Sequence, residues 1–146
     1  MGRIVSLLDR EYEPAVIDLL AESQVQRGVD AGGERASATA REYATNELYA
    51  LWGYEEDGAV VGLAGIEWSE EGRMRLMDLA VAPEQRRRGV GRALTDHLCH
   101  TLQPLAIAGV TAAAAVPFFE AAGFTVGAFG AMPDGLPRYR FLWRLR

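Results

Sequence analysis

The sequence contains no lysine; all fifteen basic residues are arginines. A phosphate-binding P-loop of the form Gly-x-x-x-x-Gly-Lys-Ser/Thr is therefore excluded. A single cysteine, Cys99, rules out an intrachain disulfide and a cysteine-based metal site. It points to a reducing, cytoplasmic setting, and its mid-helix place beside apolar Leu98 suits a buried structural thiol. The two histidines, His97 and His100, stand three apart with no carboxylate-rich motif beside them, so a solvated helix face is expected rather than a metal site. Long apolar runs are also missing. The most apolar stretch, Leu105–Phe119, is interrupted by Thr111 and Pro117 and is too short to span a bilayer. Asp9, Glu11 and Glu13 interrupt the N-terminal region before a secretory core can form. Met1 to Ser6 fits a myristoylation pattern, but Ile4 and Val5 read as a core strand and no second membrane signal follows, so no membrane partner is expected. Excess positive charge is lacking too. A net charge of −5 argues against a general nucleic-acid binder and leaves room for a cationic small molecule or peptide.

What is present suits one domain spanning residues 1–146: 49% of residues are hydrophobic, enough for one sizeable core. The pattern predicts a strand at Ile4–Leu8, a helix opened by Pro14, and a polar, glycine-rich loop at Gln26–Glu34. Thr39 and Glu42 fit a capping box for a short second helix ending near Asn46. Strands follow at Leu48–Tyr54, Ala59–Trp68 and Arg73–Val81, the last stopped by Pro83. Val90, Ala93, Leu94, Leu98 and Leu102 mark an amphipathic helix. The remainder reads as strand Leu105–Thr111, helix Val116–Ala122 before Gly123, and strands Phe124–Phe129 and Tyr139–Arg144. Trp52, Trp68 and Trp143 fall in strands and read as core, with Trp68 placed to wall a pocket beside Glu67. The expected fold is α/β: a mixed, mostly antiparallel sheet flanked by helices on both faces.

The informative segment runs from Met77 to Leu94, where a strand leads through a tight loop into a helix. Free amides and the dipole at a helix N-terminus favour phosphate. Gly89 and Gly91 remove Cβ atoms that would hold an anion off the backbone, and the flanking arginines add charge. A dinucleotide fingerprint fits poorly, because its third small residue falls on Leu94. Arg86-Arg87-Arg88-Gly89-Val90-Gly91 satisfies a third pattern, Arg/Gln-x-x-Gly-x-Gly/Ala.

That segment resembles the acetyl-CoA motif of the GCN5-related N-acetyltransferase (GNAT) family. Asp78 to Pro83 resembles the family's fourth strand, and Pro117 to Phe124 resembles its closing Phe-Tyr-Glu-x-x-Gly-Phe helix. The resemblance implies the acyl-CoA N-acyltransferase fold, acetyl-CoA as co-substrate, and acetyl transfer to a primary amine of a small molecule or peptide. It implies pyrophosphate contacts from the amides of Arg86, Arg87, Arg88, Gly89, Val90, Gly91 and Arg92. Leu79, Ala80 and Val81 would face the pantetheine arm, and Phe118 and Phe119 would border the cofactor. Asp78 is the first candidate base and Glu67 the second. Phe119 replaces the family's frequent thiolate-protonating tyrosine; Tyr139 or water would donate instead, or the thiolate would leave unassisted. Ala112–Ala115 replaces residues that are polar in many relatives. Both departures keep a second reading open, a non-catalytic acyl-CoA binding module. A toxin-like action on charged transfer RNA is disfavoured by the acidic balance. The acceptor is expected between the 26–36 and 130–137 loops, near Asp30, Glu34 and Asp134. A homodimer is expected to pair through the final strand, with Phe141, Leu142 and Trp143 at an edge.

Overall fold

The computed structural model describes residues 2–26, 33–131 and 135–146. In chain order these form β1 (Arg3–Ser6), α1 (Pro14–Gln26), α2 (Gly33–Thr45), β2 (Tyr49–Glu56), β3 (Ala59–Trp68), β4 (Met74–Val81), α3 (Val90–Asp96), β5 (Ala106–Ala112), α4 (Val116–Ala121), β6 (Thr125–Ala131) and β7 (Pro137–Arg144). The order of elements is the one the hydrophobic pattern predicts. One sheet contains all seven strands in the order β1-β2-β3-β4-β5-β7-β6. Neighbouring strands run antiparallel except β4 and β5, which are parallel and joined through α3. No helix among the described residues is long and apolar enough to cross a membrane.

Each face of the sheet buries a separate cluster. Leu7, Val16, Leu20, Ala40, Leu51 and Leu63 pack beneath α1 and α2. Ile66, Leu94, Leu98, Ile107, Phe119 and Phe141 pack beneath α3 and α4. β4 contributes to both because of one irregularity. Ile66 pairs with Leu76 and Gly65 with Asp78, so Met77 is an extra residue bulged out of the β3–β4 ladder. Since side chains alternate along a strand, the extra residue exchanges the faces. Met74 and Leu76 lie in the α3–α4 cluster, whereas Ala80 lies in the α1–α2 cluster.

Beyond the bulge β4 also leaves β5. The pairing covers Met74 with Ile107 and Arg75 with Ala108. Gly109 sits where the strands part. A Cβ there would stand 2.2 Å from Phe141 Cζ and 2.8 Å from the Leu76 carbonyl oxygen. The absent side chain lets the Phe141 ring lie across β5, close to β4.

Three local expectations are corrected. Helix α2 begins at Gly33, so Thr39 is not a cap; it lies mid-helix, where its Oγ1 accepts a 2.7 Å bond from Gln24 Nε2. The helix after Gly89 does not stay regular through Leu102: Asp96 ends α3, and a π turn follows at His97–Thr101. Strand β7 is not an edge. Both its sides are hydrogen-bonded, to β5 and β6, and Phe141 is buried, so it offers no free ladder to a second copy. The hydrophobic pattern does not show this because a swapped strand order leaves no mark on a strand's own alternation.

His97 is not on a solvated face either: its ring packs 4.4 Å from Trp52, and its Nε2 is buried. His100 stays exposed. Burial holds the His97 pKa below its ordinary value. The folded state therefore binds fewer protons than the unfolded state, and stability is lost as pH falls below the ordinary value of about 6.5. Thermal midpoints should decline across that window in the wild type and less steeply in His97→Gln. Gly109→Ala should cost about 1–3 kcal/mol by urea unfolding, the usual penalty for overpacking.

Candidate active site

The divergence of β4 from β5 opens cavities on both sides of the sheet. The larger, about 740 Å³, lies against the loop before α3 and against α4. The smaller, about 530 Å³, lies against α2 and β7. Leu76, Met77, Val110, Thr111 and Ala112 line both, so the cavities meet where the strands separate.

The loop entering α3 forms one wall of the larger cavity. Arg87 has φ 63° and Gly89 has φ 82°, both left-handed. Gly89 is the residue that precedes the first turn, and glycine adopts that conformation without strain. A Cβ on Gly89 would meet nothing within 4 Å, so its space is open. Gly91 has a different reason for being small than anion approach: a Cβ there would stand 3.1 Å from Phe118. The arginines divide by partner. Arg86 Nη2 donates to Glu22 of α1, and its Nε donates to the Val81 carbonyl at 3.3 Å. Arg88 turns to Gln85 and Glu56, off the cavity wall. Arg92 bonds Asp96 at 3.0 Å and the Ala121 carbonyl at 2.9 Å, tying α3 to α4. Arg87 lines the cavity and makes no ion pair or side-chain hydrogen bond among the described residues.

Every other residue singled out for the cofactor lines this cavity: Leu79, Ala80, Val81, Arg86, Gly89, Val90, Gly91, Arg92, Phe118 and Phe119. Asp78 does so as well. It is 3% exposed and holds two hydroxyl donors, Ser23 Oγ at 2.8 Å and Tyr43 Oη at 2.6 Å. A carboxylate can be buried there because donors from α1 and α2 replace water. Glu67 and Tyr139 line neither cavity. Glu67 instead pairs with Arg75 at 2.8 Å. Tyr139 pairs with Thr111 and Ala128 in the sheet. Among the described residues no tyrosine lines the larger cavity, and Phe119 is stacked on Phe141 at 4.0 Å. Ala112, Ala114 and Ala115 add methyl groups to the same wall.

Other expectations resolve around this site. Glu34 and Trp68 line neither cavity. Asp30, Asp134 and most of the 26–36 and 130–137 loops lie outside the described residues, or within the ends of α2, β6 and β7. Cys99 is buried, and burial pushes its thiol up to about 11, which leaves it inert at neutral pH. The sequence pattern does not reveal Ser23, Tyr43, Arg35 and Glu42 as site residues. Ser23 and Tyr43 lie 55 and 35 positions from Asp78, and no local pattern joins them to it.

The model of the GNAT acetyltransferase domain matches residues 47–126, more than half of the chain. The chain belongs to the GNAT acetyltransferase family. The matched span runs from just before β2 to the start of β6 and contains the loop, α3 and α4 described above. No curated protein matches this acetyltransferase in sequence. Solved structures share its fold. A GNAT acetyltransferase from Staphylococcus aureus superposes with a TM-score of 0.76 at 16% identity, covering 100% of both chains. The ribosomal-protein-S18-alanine N-acetyltransferase of Escherichia coli gives 0.71 at 20% identity, covering 99% of this chain and 94% of its own. The PaiA N-acetyltransferase of Thermoplasma acidophilum, solved with coenzyme A, gives 0.69 at 15% identity, covering 96% and 98%.

The free guanidinium of Arg87 makes a direct prediction. Arg87→Gln should weaken coenzyme A binding about tenfold by calorimetry, the scale of one charge-assisted contact. Thermal stability should hardly change, because the Arg87 side chain makes no hydrogen bond or ion pair among the described residues.

Proposed function

We propose that this acetyltransferase moves the acetyl group of acetyl-CoA to a primary amine by direct attack, with donor and acceptor entering from opposite faces of the sheet. The observation that carries this reading is the shared wall. A thioester extended to Val110–Ala112 from the larger cavity lies within reach of an amine held in the smaller one.

The residues of the larger cavity fit an acyl-CoA. Arg87 and the open space over Gly89 suit a pyrophosphate, with the first amides of α3 as donors. The edge of β4 beyond Arg75 has no β5 residues paired with it, so backbone groups of Leu79 to Val81 are available to an extended arm bearing amides. Phe118 and Phe119 close the apolar side. Bound acetyl-CoA supplies the activated acetyl thioester. Proximity and orientation then account for much of the rate, because both reactants are held at one gap.

Asp78 is assigned the proton that the attacking amine loses. Its carboxylate stands on the cavity wall, and the Ser23 hydroxyl bonded to it lines the same wall. Glu67 and Tyr139 have no role in this reading. The leaving thiolate needs no phenol: a thiol of ordinary acidity is a tolerable leaving group, and water can protonate it.

Phe119 favours a second reading, a module that binds acyl-CoA without turnover, since a stacked phenylalanine donates no proton. One experiment separates the two. Wild-type protein should release free thiol from acetyl-CoA when amines are supplied. Asp78→Asn should lower kcat about 100-fold or more and leave coenzyme A affinity unchanged. Binding without thiol release for any amine would establish the non-catalytic reading. Unchanged kcat in Asp78→Asn would move the proton to another group.

A further inference from the structure

The smaller cavity carries charges that the proposed reaction does not use. Four of its wall residues, Arg35, Ala38, Thr39 and Glu42, stand at i, i+3, i+4 and i+7 on α2 and form one stripe facing the cavity. The bond from Gln24 to Thr39 ties the middle of that stripe to α1. Ala38 and Thr39 are small, so the centre is open. Arg35 and Glu42 mark its ends, about 10 Å apart along the axis at 1.5 Å per residue. Neither charge has an ion-pair partner among the described residues.

Two more guanidinium groups line the same cavity. Arg75 of β4 lines it while paired at 2.8 Å with Glu67, which is off the wall. Arg138 of β7 is 4% exposed, and its Nη1 donates to the Pro137 carbonyl at 3.2 Å. The described wall therefore carries Arg35, Arg75 and Arg138 against the single carboxylate of Glu42, in a chain of net charge −5. Arg75 is neutralised by Glu67 and Arg138 is engaged by contacts of its own, so Arg35 and Glu42, one charge of each sign, are the described groups left to meet a ligand.

The three acceptor types separate on this wall. A polyamine would meet Glu42 with one ammonium but bring a further positive charge toward the unmatched Arg35, and like charges in a cleft repel. A plain alkylamine would leave Arg35 unmatched. An amine that also bears a carboxylate matches both signs: the guanidinium fork receives the carboxylate in two parallel hydrogen bonds, and Glu42 attracts the ammonium before it is deprotonated.

We propose that the acceptor is a small zwitterion of the amino-acid class, an amine tethered to a carboxylate, with Arg35 as the anchoring cation. The proposal rests on the acetyl-transfer reading and names the substrate class of that site.

The test measures acetyl transfer to amino acids, to the matching amino-acid amides, and to spermidine. kcat/KM should be at least about tenfold higher for the carboxylates than for the amides, the scale of one desolvated charge contact. Arg35→Glu should bring that ratio near one without altering coenzyme A affinity. Equal rates for acids and amides, or a preference for spermidine, would overturn the proposal. If coenzyme A binds but no amine is acetylated, the acetyl-transfer reading fails on its own. The cavity is then read by calorimetry on the coenzyme A complex with N-acetyl amino acids and their amides. Preference for the acids, lost in Arg35→Glu, sustains the zwitterion site; no preference, or no binding, removes it.

Discussion

Two paired residues hold β4 to β5, and everything at the site depends on the pairing stopping there. The extra residue at Met77 turns β4 over, so that Asp78 and Ala80 face α1 and α2 while Leu79 and Val81 pack toward α3 and α4. Phe141 fills the angle by lying across Gly109. A regular ladder would have closed the sheet and satisfied its backbone groups. The irregular one leaves a gap that both cavities share, and a strand edge whose amides and carbonyls await a partner.

Asp78 shows how the same departure creates chemistry. Turned toward α1 and α2, its carboxylate meets the hydroxyls of Ser23 and Tyr43, and these two bonds are what make a 3% exposed acid tolerable. The carboxylate thereby links both helices to the strand that borders the gap. Position and helix docking converge on one side chain, the same one to which the proposed function gives the amine's proton. A change at Asp78 is for that reason felt as packing and as chemistry together, and the two are separable by comparing binding with turnover.

Charge is distributed against the molecular average. The chain is acidic overall, yet Arg86, Arg87 and Arg92 line the larger cavity and Arg35, Arg75 and Arg138 the smaller. Several of these guanidiniums are occupied by protein partners, including Glu22, Glu67 and Asp96. Arg87 and Arg35 are the ones without such partners among the described residues, one in each cavity. Each cavity thus has one guanidinium that the described fold leaves without an ion-pair partner.

Local features of the molecule are legible in its sequence. Apolar, β-prone runs bounded by turn residues mark the strands, because burial and turn formation depend on near neighbours in the chain. The Arg86–Gly91 segment announces a tight turn that opens a helix, because such a turn imposes its own residue choices. Thr39 misleads for the same reason: a capping pattern is local, and α2 has already begun at Gly33. Features made by segments far apart in the chain leave no such mark. The place of β7 inside the sheet, the hydroxyls around Asp78, and the exclusion of Glu67 and Tyr139 from the cavities all depend on long-range pairing. So does the charge of the smaller cavity, assembled from α2, β4 and β7. Residue identity and spacing settle which backbone conformations and which helix-opening turn are accessible. Which side chains share a cavity is settled by how sheet register and bulge rotate each strand, and that information is held by no single segment.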